Sequence, residues 1–228
     1  MKSSHTSRVF DTELAALRTR TLAMGKRCEQ SVSTALEAFW KSSNELASQV
    51  RALDDQINRD EMAIDESALR ILALRQPVAK DLRFLAAILK LVTDLERIGD
   101  EAAGIAEHAR EKHGFATEVV RGELEAMATL TRRMLSDALS SIDARDARLA
   151  ERVLAQDDLV DKSYATIMHA MSQYMAKDGE AVPEGLTVVK VARYLERISD
   201  HATNIAEAVI FMVRGEDVRH VRAHAADV

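Results

Sequence analysis

Acidic side chains spaced four residues apart are the feature of this chain most able to do chemistry. Glu96 and Asp100 form one such pair, and Glu196 and Asp200 form another one hundred residues later. Asp54, Asn58, Glu61 and Asp65 follow the spacing i, i+4, i+7, i+11, and Asp157 and Asp161 repeat its first two positions. On a helix turning about 100° per residue, each of these sets lies on one face. Glu107 and Glu207 fall on the same stripes as their pairs. Like charges four apart repel by a few tenths of a kcal/mol unless a cation sits between them. Oxygen donors of this kind select hard or borderline divalent or trivalent metals, and acids from two helices could bridge a cluster of ions. The bland alternative is a solvated charged face, with Arg97 and Arg197 pairing with neighbouring acids. Spacing by itself leaves both readings open.

The elements that must hold these acids are helices. The run Leu95-Glu96-Arg97-Ile98-Gly99-Asp100-Glu101-Ala102-Ala103-Gly104-Ile105-Ala106-Glu107 returns as Leu195-Glu196-Arg197-Ile198-Ser199-Asp200-His201-Ala202-Thr203-Asn204-Ile205-Ala206-Glu207, identical at nine of thirteen positions. Such a repeat marks a duplicated unit. Within each copy the apolar residues lie well round the helix from the acids. Apolar residues at helical spacing predict a first helix over about 9–41, after a loose start. The polar break Ser42-Ser43-Asn44 leads to a second helix over about 45–74. Pro77, which lacks an N–H and fits a first helical turn, opens a third helix running to about 112, where His113-Gly114 ends it.

The second half repeats this plan. Thr117 is the expected cap of a fourth helix over 118–142. A fifth helix spans about 143–177, Asp178-Gly179-Glu180 turns, and a sixth begins near Pro183 and ends near Arg214-Gly215. The expected fold is all-α: two tandem antiparallel three-helix bundles related by the internal repeat. The expected boundaries are 9–113 and 117–215, with a polar, loose tail over 216–228. No stretch shows the bounded alternation of a strand.

Composition agrees and excludes several classes. Hydrophobic residues make up 47% and aromatics 4%, with eight glycines and two prolines, a helix-forming mixture with enough apolar side chains for a core. A net charge of −6 argues against nucleic acid as the partner, because phosphate backbones want a basic patch. No run approaches the ~20 apolar residues of a membrane span, and the polar N-terminus has no signal-peptide core behind it. The single Cys28 reads as a buried small side chain suited to a reducing cytoplasm. Met24, Met168, Met171, Met175 and Met212 read as core. No histidine has a Glu three residues before it, so the Glu-x-x-His signature of di-iron bundles is missing. Nucleophile motifs, phosphate loops and Cys–His zinc patterns are missing too. His201, beside Asp200 but about 100° round the helix, reads as a surface residue.

The run Arg75-Gln76-Pro77-Val78-Ala79-Lys80-Asp81-Leu82-Arg83, followed by Asp94-Leu95-Glu96-Arg97-Ile98-Gly99-Asp100, resembles the signature of the PhoU family of bacterial phosphate-uptake regulators. The second copy at 195–205 is similar to that family's second repeat, and Val213-Arg214-Gly215 with Arg219-His220 resembles its C-terminal end. The resemblance covers roughly residues 8–220. It implies two three-helix bundles with pseudo-twofold similarity, and Glu/Asp-x-x-x-Asp pairs that hold metal clusters in some members. By position these are Glu96/Asp100 and Glu196/Asp200, with Asp157/Asp161 and Asp54/Asn58 as partners; the metals are iron, zinc, nickel, manganese or magnesium. Asn58 stands where the family has a carboxylate, which implies a weaker site on helix two. Ser199 replaces the usual Gly, which a helix should tolerate.

The resemblance further implies a cytoplasmic, non-catalytic negative regulator of phosphate uptake and of the phosphate-starvation response. Its partners would be the sensor histidine kinase of the phosphate regulon and the ATPase subunit of the phosphate ABC transporter. It would be a homodimer, reaching the membrane only through those partners. A metal-dependent enzyme or a metal-storage bundle using the same carboxylates is the alternative.

Overall fold

The computed structural model describes residues 3–110 and 118–219, and within them every regular element is helical. The first unit is α1 (Ser3–Lys41), α2 (Asn44–Arg75) and α3 (Ala79–Glu107), the last continued by one 3₁₀ turn, His108–Arg110. The second is α4 (Glu118–Ala144), α5 (Ala147–Leu154), α6 (Asp157–Lys177) and α7 (Val182–Arg214), with a 3₁₀ turn at Gly179–Ala181. The stop expected at His113-Gly114, the Thr117 cap and the tail beyond residue 219 lie outside the described residues.

Both units make their first turn with the same device. A residue in the left-handed region, Ser42 at φ 50° or Arg145 at φ 51°, is followed by a polar N-cap. Ser43 accepts from the Leu46 amide, and Asp146 accepts from the Arg148 and Leu149 amides. These caps satisfy amides that a helix start leaves unpaired. Gln76, also left-handed at φ 47°, ends α2. Gly215 ends α7 at φ 79°, a conformation that favours glycine.

Two expectations are corrected. The first helix begins at Ser3, so the chain is already helical before residue 9. The expected fifth helix over 143–177 is two helices, α5 and α6. The Asp146 cap starts α5 only at Ala147. The chain then steps at Ala155-Gln156, where both residues keep right-handed backbone angles and the Gln156 amide bonds back to the Val153 carbonyl in a tighter turn.

The motif helices α3 and α7 pack against each other at the centre, each also packing against the other helices of its own unit. Leu95, Ile98, Ala102 and Ile105 in α3, and Leu195, Ile198, Ala202 and Ile205 in α7, are fully buried. They join one continuous apolar core running through both units, with Phe39, Met24 and Ile57 among its large members. Burial at roughly 25 cal/mol per Å² of apolar surface is what holds these helices in place. Cys28 belongs to this core: it is completely buried and its thiol donates to the Leu95 carbonyl at 3.2 Å.

Candidate functional site

Each acidic face forms where a motif helix meets its neighbour. In the first unit, Gly99 lets α2 lie close to α3. A Cβ at that position would come within 3.1 Å of Asp54 Oδ1 and of the Ile57 side chain. The absence of a side chain therefore seats Asp54 against the α3 backbone, facing Asp100. Glu61 and Asp65 continue the same face of α2, and Glu96 of α3 joins them.

The electrostatics show how closely the acids are held. Burial, and then the charge of Asp100, raises the Asp54 carboxyl above its ordinary value. Glu96 is raised by burial, then by Asp100, with Glu61 and Asp54 adding and Arg97 opposing. Glu61 is raised by burial and then by Asp65, and Asp65 is raised by burial. Burial and like charge both disfavour the ionised form. Arg97 offsets part of this, at 3.4 Å from Glu96 and 3.3 Å from Asp100. It does so from an exposed position where such pairs contribute little. Asp54 Oδ1, Asn58 Oδ1 and Asp65 Oδ1 are buried with no hydrogen-bond donor. Unpaired buried acceptors are rare and costly.

The second unit brings Asp157 and Asp161 of α6 against Glu196 and Asp200 of α7. Burial and then Asp200 raise Glu196, with Asp161 adding. Asp200 is raised by burial, then by Asp157 and Asp161. Here the face is better satisfied. Thr203 Oγ1 donates to Asp157 Oδ1 at 3.1 Å, and Arg193 pairs with Glu196. In the first unit the residue equivalent to Thr203 is Ala103, which has no donor to offer Asp54. Ser199, where the first unit has Gly99, is buried without strain and donates to the Glu196 carbonyl at 2.6 Å. Glu196 Oε2 remains without a donor.

Seven of the eight positions paired from the sequence are brought into mutual interaction as two inter-helix sets, Asp54, Glu96 and Asp100, and Asp157, Asp161, Glu196 and Asp200, while Asn58 lies one turn along α2 from Asp54 with its Oδ1 buried and unpaired. The outer members of the stripes do not join them. Glu107 is exposed at the end of α3, and Glu207 lines a groove between α3 and α7. The donor chemistry fits a hard cation, given oxygen ligands and orphaned buried acceptors. Among the described residues, however, no three His, Cys, Asp or Glu side chains close into a set that would enclose one ion. The faces present open carboxylates rather than a finished cage.

A second polar array, not visible in the spacing along either helix, lies between the two units. His201 is not a free surface residue: its Nδ1 lies 2.9 Å from Asp94 Oδ1, which also accepts from Asn204 Nδ2 at 3.0 Å. Arg197 reaches across to Glu101 at 3.4 Å. The Tyr194 ring occupies the space above Gly104, where a Cβ would come within 2.6 Å of it. A signal was available. Asp94/Tyr194, Glu101/His201 and Gly104/Asn204 are positions where the two copies differ, and these differing residues meet across the pseudo-twofold axis.

Comparison with known proteins follows the same duplication. The PhoU domain family matches residues 21–109 and again 124–209. The phosphate-specific transport system accessory protein PhoU homolog of Pseudomonas aeruginosa is 44% identical over 221 residues, covering 95% of this chain and 90% of that protein. The phosphate-specific transport system accessory protein PhoU of Escherichia coli K12 is 37% identical over 225 residues, covering 99% and 93%. Among solved structures, PhoU from Pseudomonas aeruginosa superposes with a TM-score of 0.85 at 42% identity, covering 91% of this chain and 100% of that one. The phosphate transport system regulatory protein PhoU from Streptococcus pneumoniae gives 0.84 at 32% identity, covering 92% and 99%.

Proposed function

The chain belongs to the PhoU family, and from that premise we propose that it serves a phosphate transport system as a regulatory accessory protein, acting by contact and not by catalysis. In this reading it is cytoplasmic and binds the ATPase subunit of the phosphate ABC transporter and the sensor histidine kinase of the phosphate regulon. When phosphate is plentiful, the complex holds the kinase off and limits uptake, so the protein is a negative regulator of the phosphate-starvation response. The single observation that carries this is the match of both repeats to the family, with relatives named as transport accessory proteins aligned along nearly their whole length. A second copy of the chain completes a homodimer, and nucleic acid is not a partner. No described helix is long and apolar enough to cross a membrane, which fits a protein that meets the membrane only through others.

The acidic faces have a supporting part in this reading. Iron, zinc, nickel, manganese or magnesium would be held between α2 and α3 by Asp54, Asn58, Glu96 and Asp100, and between α6 and α7 by Asp157, Asp161, Glu196 and Asp200. Such a cation would neutralise the repulsion that raises these carboxyls. What favours it is the set of unpaired buried oxygens on Asp54, Asn58, Asp65 and Glu196.

Affinity capture of the tagged chain from cells grown in high and low phosphate tests the function. The transporter ATPase and a sensor kinase are recovered in high phosphate. Recovery of neither, in either condition, counts against the adaptor role.

A further inference from the structure

Far from the acidic faces, at the end of the bundle where α3 begins and α7 ends, lies a groove of about 430 Å³. This is within the roughly 300–1,000 Å³ of small-molecule sites. Its character is opposite to that of the rest of the chain. In a protein of net charge −6, four cationic side chains line it: Arg18 of α1, Lys80 and Arg83 of α3, and Arg145 of the α4–α5 turn. Two carboxylates, Asp11 and Asp81, line it as well, and the outlying Asp143 holds Arg18 at 3.1 Å.

We propose that this groove is a binding site for a protonated phosphoryl oxyanion, inorganic phosphate or a short chain of phosphates. Three observations carry it. First, among the described residues Lys80, Arg83 and Arg145 form no ion pair with a carboxylate, although cations brought this close together repel. Second, the protein leaves two of these guanidinium groups incompletely paired: the Nε atoms of Arg83 and Arg18 are buried without an acceptor. Arg83 runs beside Gly215 at the C-terminal end of α7, whose negative end it complements, yet that contact leaves its Nε hydrogen unused. Third, the N-cap of α3 is Val78, which offers no side-chain acceptor, so the first amides of α3 open at the groove uncapped, with Asp81 the one acid of that turn.

The arrangement also says which anion. Guanidinium forks match phosphoryl oxygens in geometry and stay charged at any cellular pH. Arg145 is steadied by its stacking over the Phe84 ring at 5.6 Å, and Phe84 is itself part of the groove wall. Asp11 and Asp81 accept a hydrogen bond only from an anion that carries a proton. Phosphate near neutral pH carries one and sulfate does not, so the carboxylates favour the first and repel the second. The inference stands apart from the adaptor role, because binding by the isolated chain needs neither transporter nor kinase.

Calorimetric titration of the full chain with inorganic phosphate, pyrophosphate and sulfate at matched ionic strength is the test. Saturable binding of phosphate or pyrophosphate, tighter than sulfate, is the expected result. Tighter binding of pyrophosphate assigns a ligand with two or more phosphoryl groups, and equal binding assigns a single one. Arg83→Gln weakens binding by about tenfold or more, the scale of one lost charge-assisted contact. Lys80→Gln combined with Arg145→Gln, both at exposed positions, does the same. Arg133→Gln on the outer face of α4 leaves binding unchanged. No saturable binding, equal binding of sulfate, or full affinity in the Lys80→Gln/Arg145→Gln variant overturns the assignment.

Discussion

Thr203→Val isolates the difference between the two acidic faces. The substitution keeps the shape of a buried, β-branched side chain and removes one hydroxyl. That hydroxyl lies 3.1 Å from Asp157 Oδ1 and 3.0 Å from the Ser199 carbonyl, and with one hydrogen it donates to one of them at a time. The charged acceptor is the stronger partner. Hydrogen bonds to charged groups contribute about 1.5–3 kcal/mol, and the half-exposed setting of Asp157 places this one near 1.5. For a chain of this size 1 kcal/mol moves the thermal midpoint by about 2–4 °C, so Thr203→Val lowers it by about 3–6 °C. Thermal unfolding followed by circular dichroism at pH 7 reads this directly. In an Asp157→Ala background the hydroxyl turns to the Ser199 carbonyl, and the same substitution costs less than half as much. Equal losses in both backgrounds would show that the hydroxyl acts only within its own helix and gives Asp157 nothing. Ala103→Thr, the reciprocal change, gives Asp54 a donor it lacks and raises the thermal midpoint measured in chelator at pH 7.

Three further outcomes follow from the same geometry. The Glu96 carboxyl is held above its ordinary 4.5, so its contribution to folding is fully present below about pH 4.5 and is lost as pH rises through the raised value. Glu96→Gln accordingly raises the thermal midpoint at pH 7 in the presence of chelator, and the gain disappears toward pH 4.5; a gain that is the same at both pH values contradicts the account. Gly104→Leu drives a side chain into the Tyr194 ring and destabilises by about 1–3 kcal/mol, with part of the loss recovered in combination with Tyr194→Ala; denaturant unfolding measures both, and additive losses would show that the two positions do not touch. Cys28, fully buried and with its thiol pushed far above the usual range by burial, stays unreactive to a colorimetric thiol reagent until the chain is unfolded in urea; rapid labelling of the native protein would place it outside the core.

The duplication and the helices were legible because they are periodic. Leu95, Ile98, Ala102 and Ile105 announce a buried face, and the same residues one hundred positions later announce a second. Neighbouring acids on that helix were legible for the same reason. The step between α5 and α6 was not, because Ala155 and Gln156 are ordinary helix residues and neither Gly nor Pro marks the place. The earlier break, where α5 starts, has one sequence sign in Asp146, a cap that reads as such once Arg145 is known to be left-handed. The contacts of Asp94 with His201 and of Glu101 with Arg197 depend on how two helices far apart in sequence pack, which helical spacing within one of them does not encode. The satisfied state of Asp157 against the orphaned state of Asp54 rests on the single change from Ala103 to Thr203. The basic groove draws its cations from three stretches of the chain, none of which is conspicuously basic by itself.

The proposed role is restraint of the phosphate-starvation response by contact. The most direct measurement is expression of a phosphate-starvation reporter in rich phosphate, in a strain lacking the protein and again after the gene is restored. The reporter is expected to be on without the protein and off with it, with Glu96→Gln/Asp100→Asn still able to restore repression in part. A deletion strain that keeps the reporter off in rich phosphate would contradict that role.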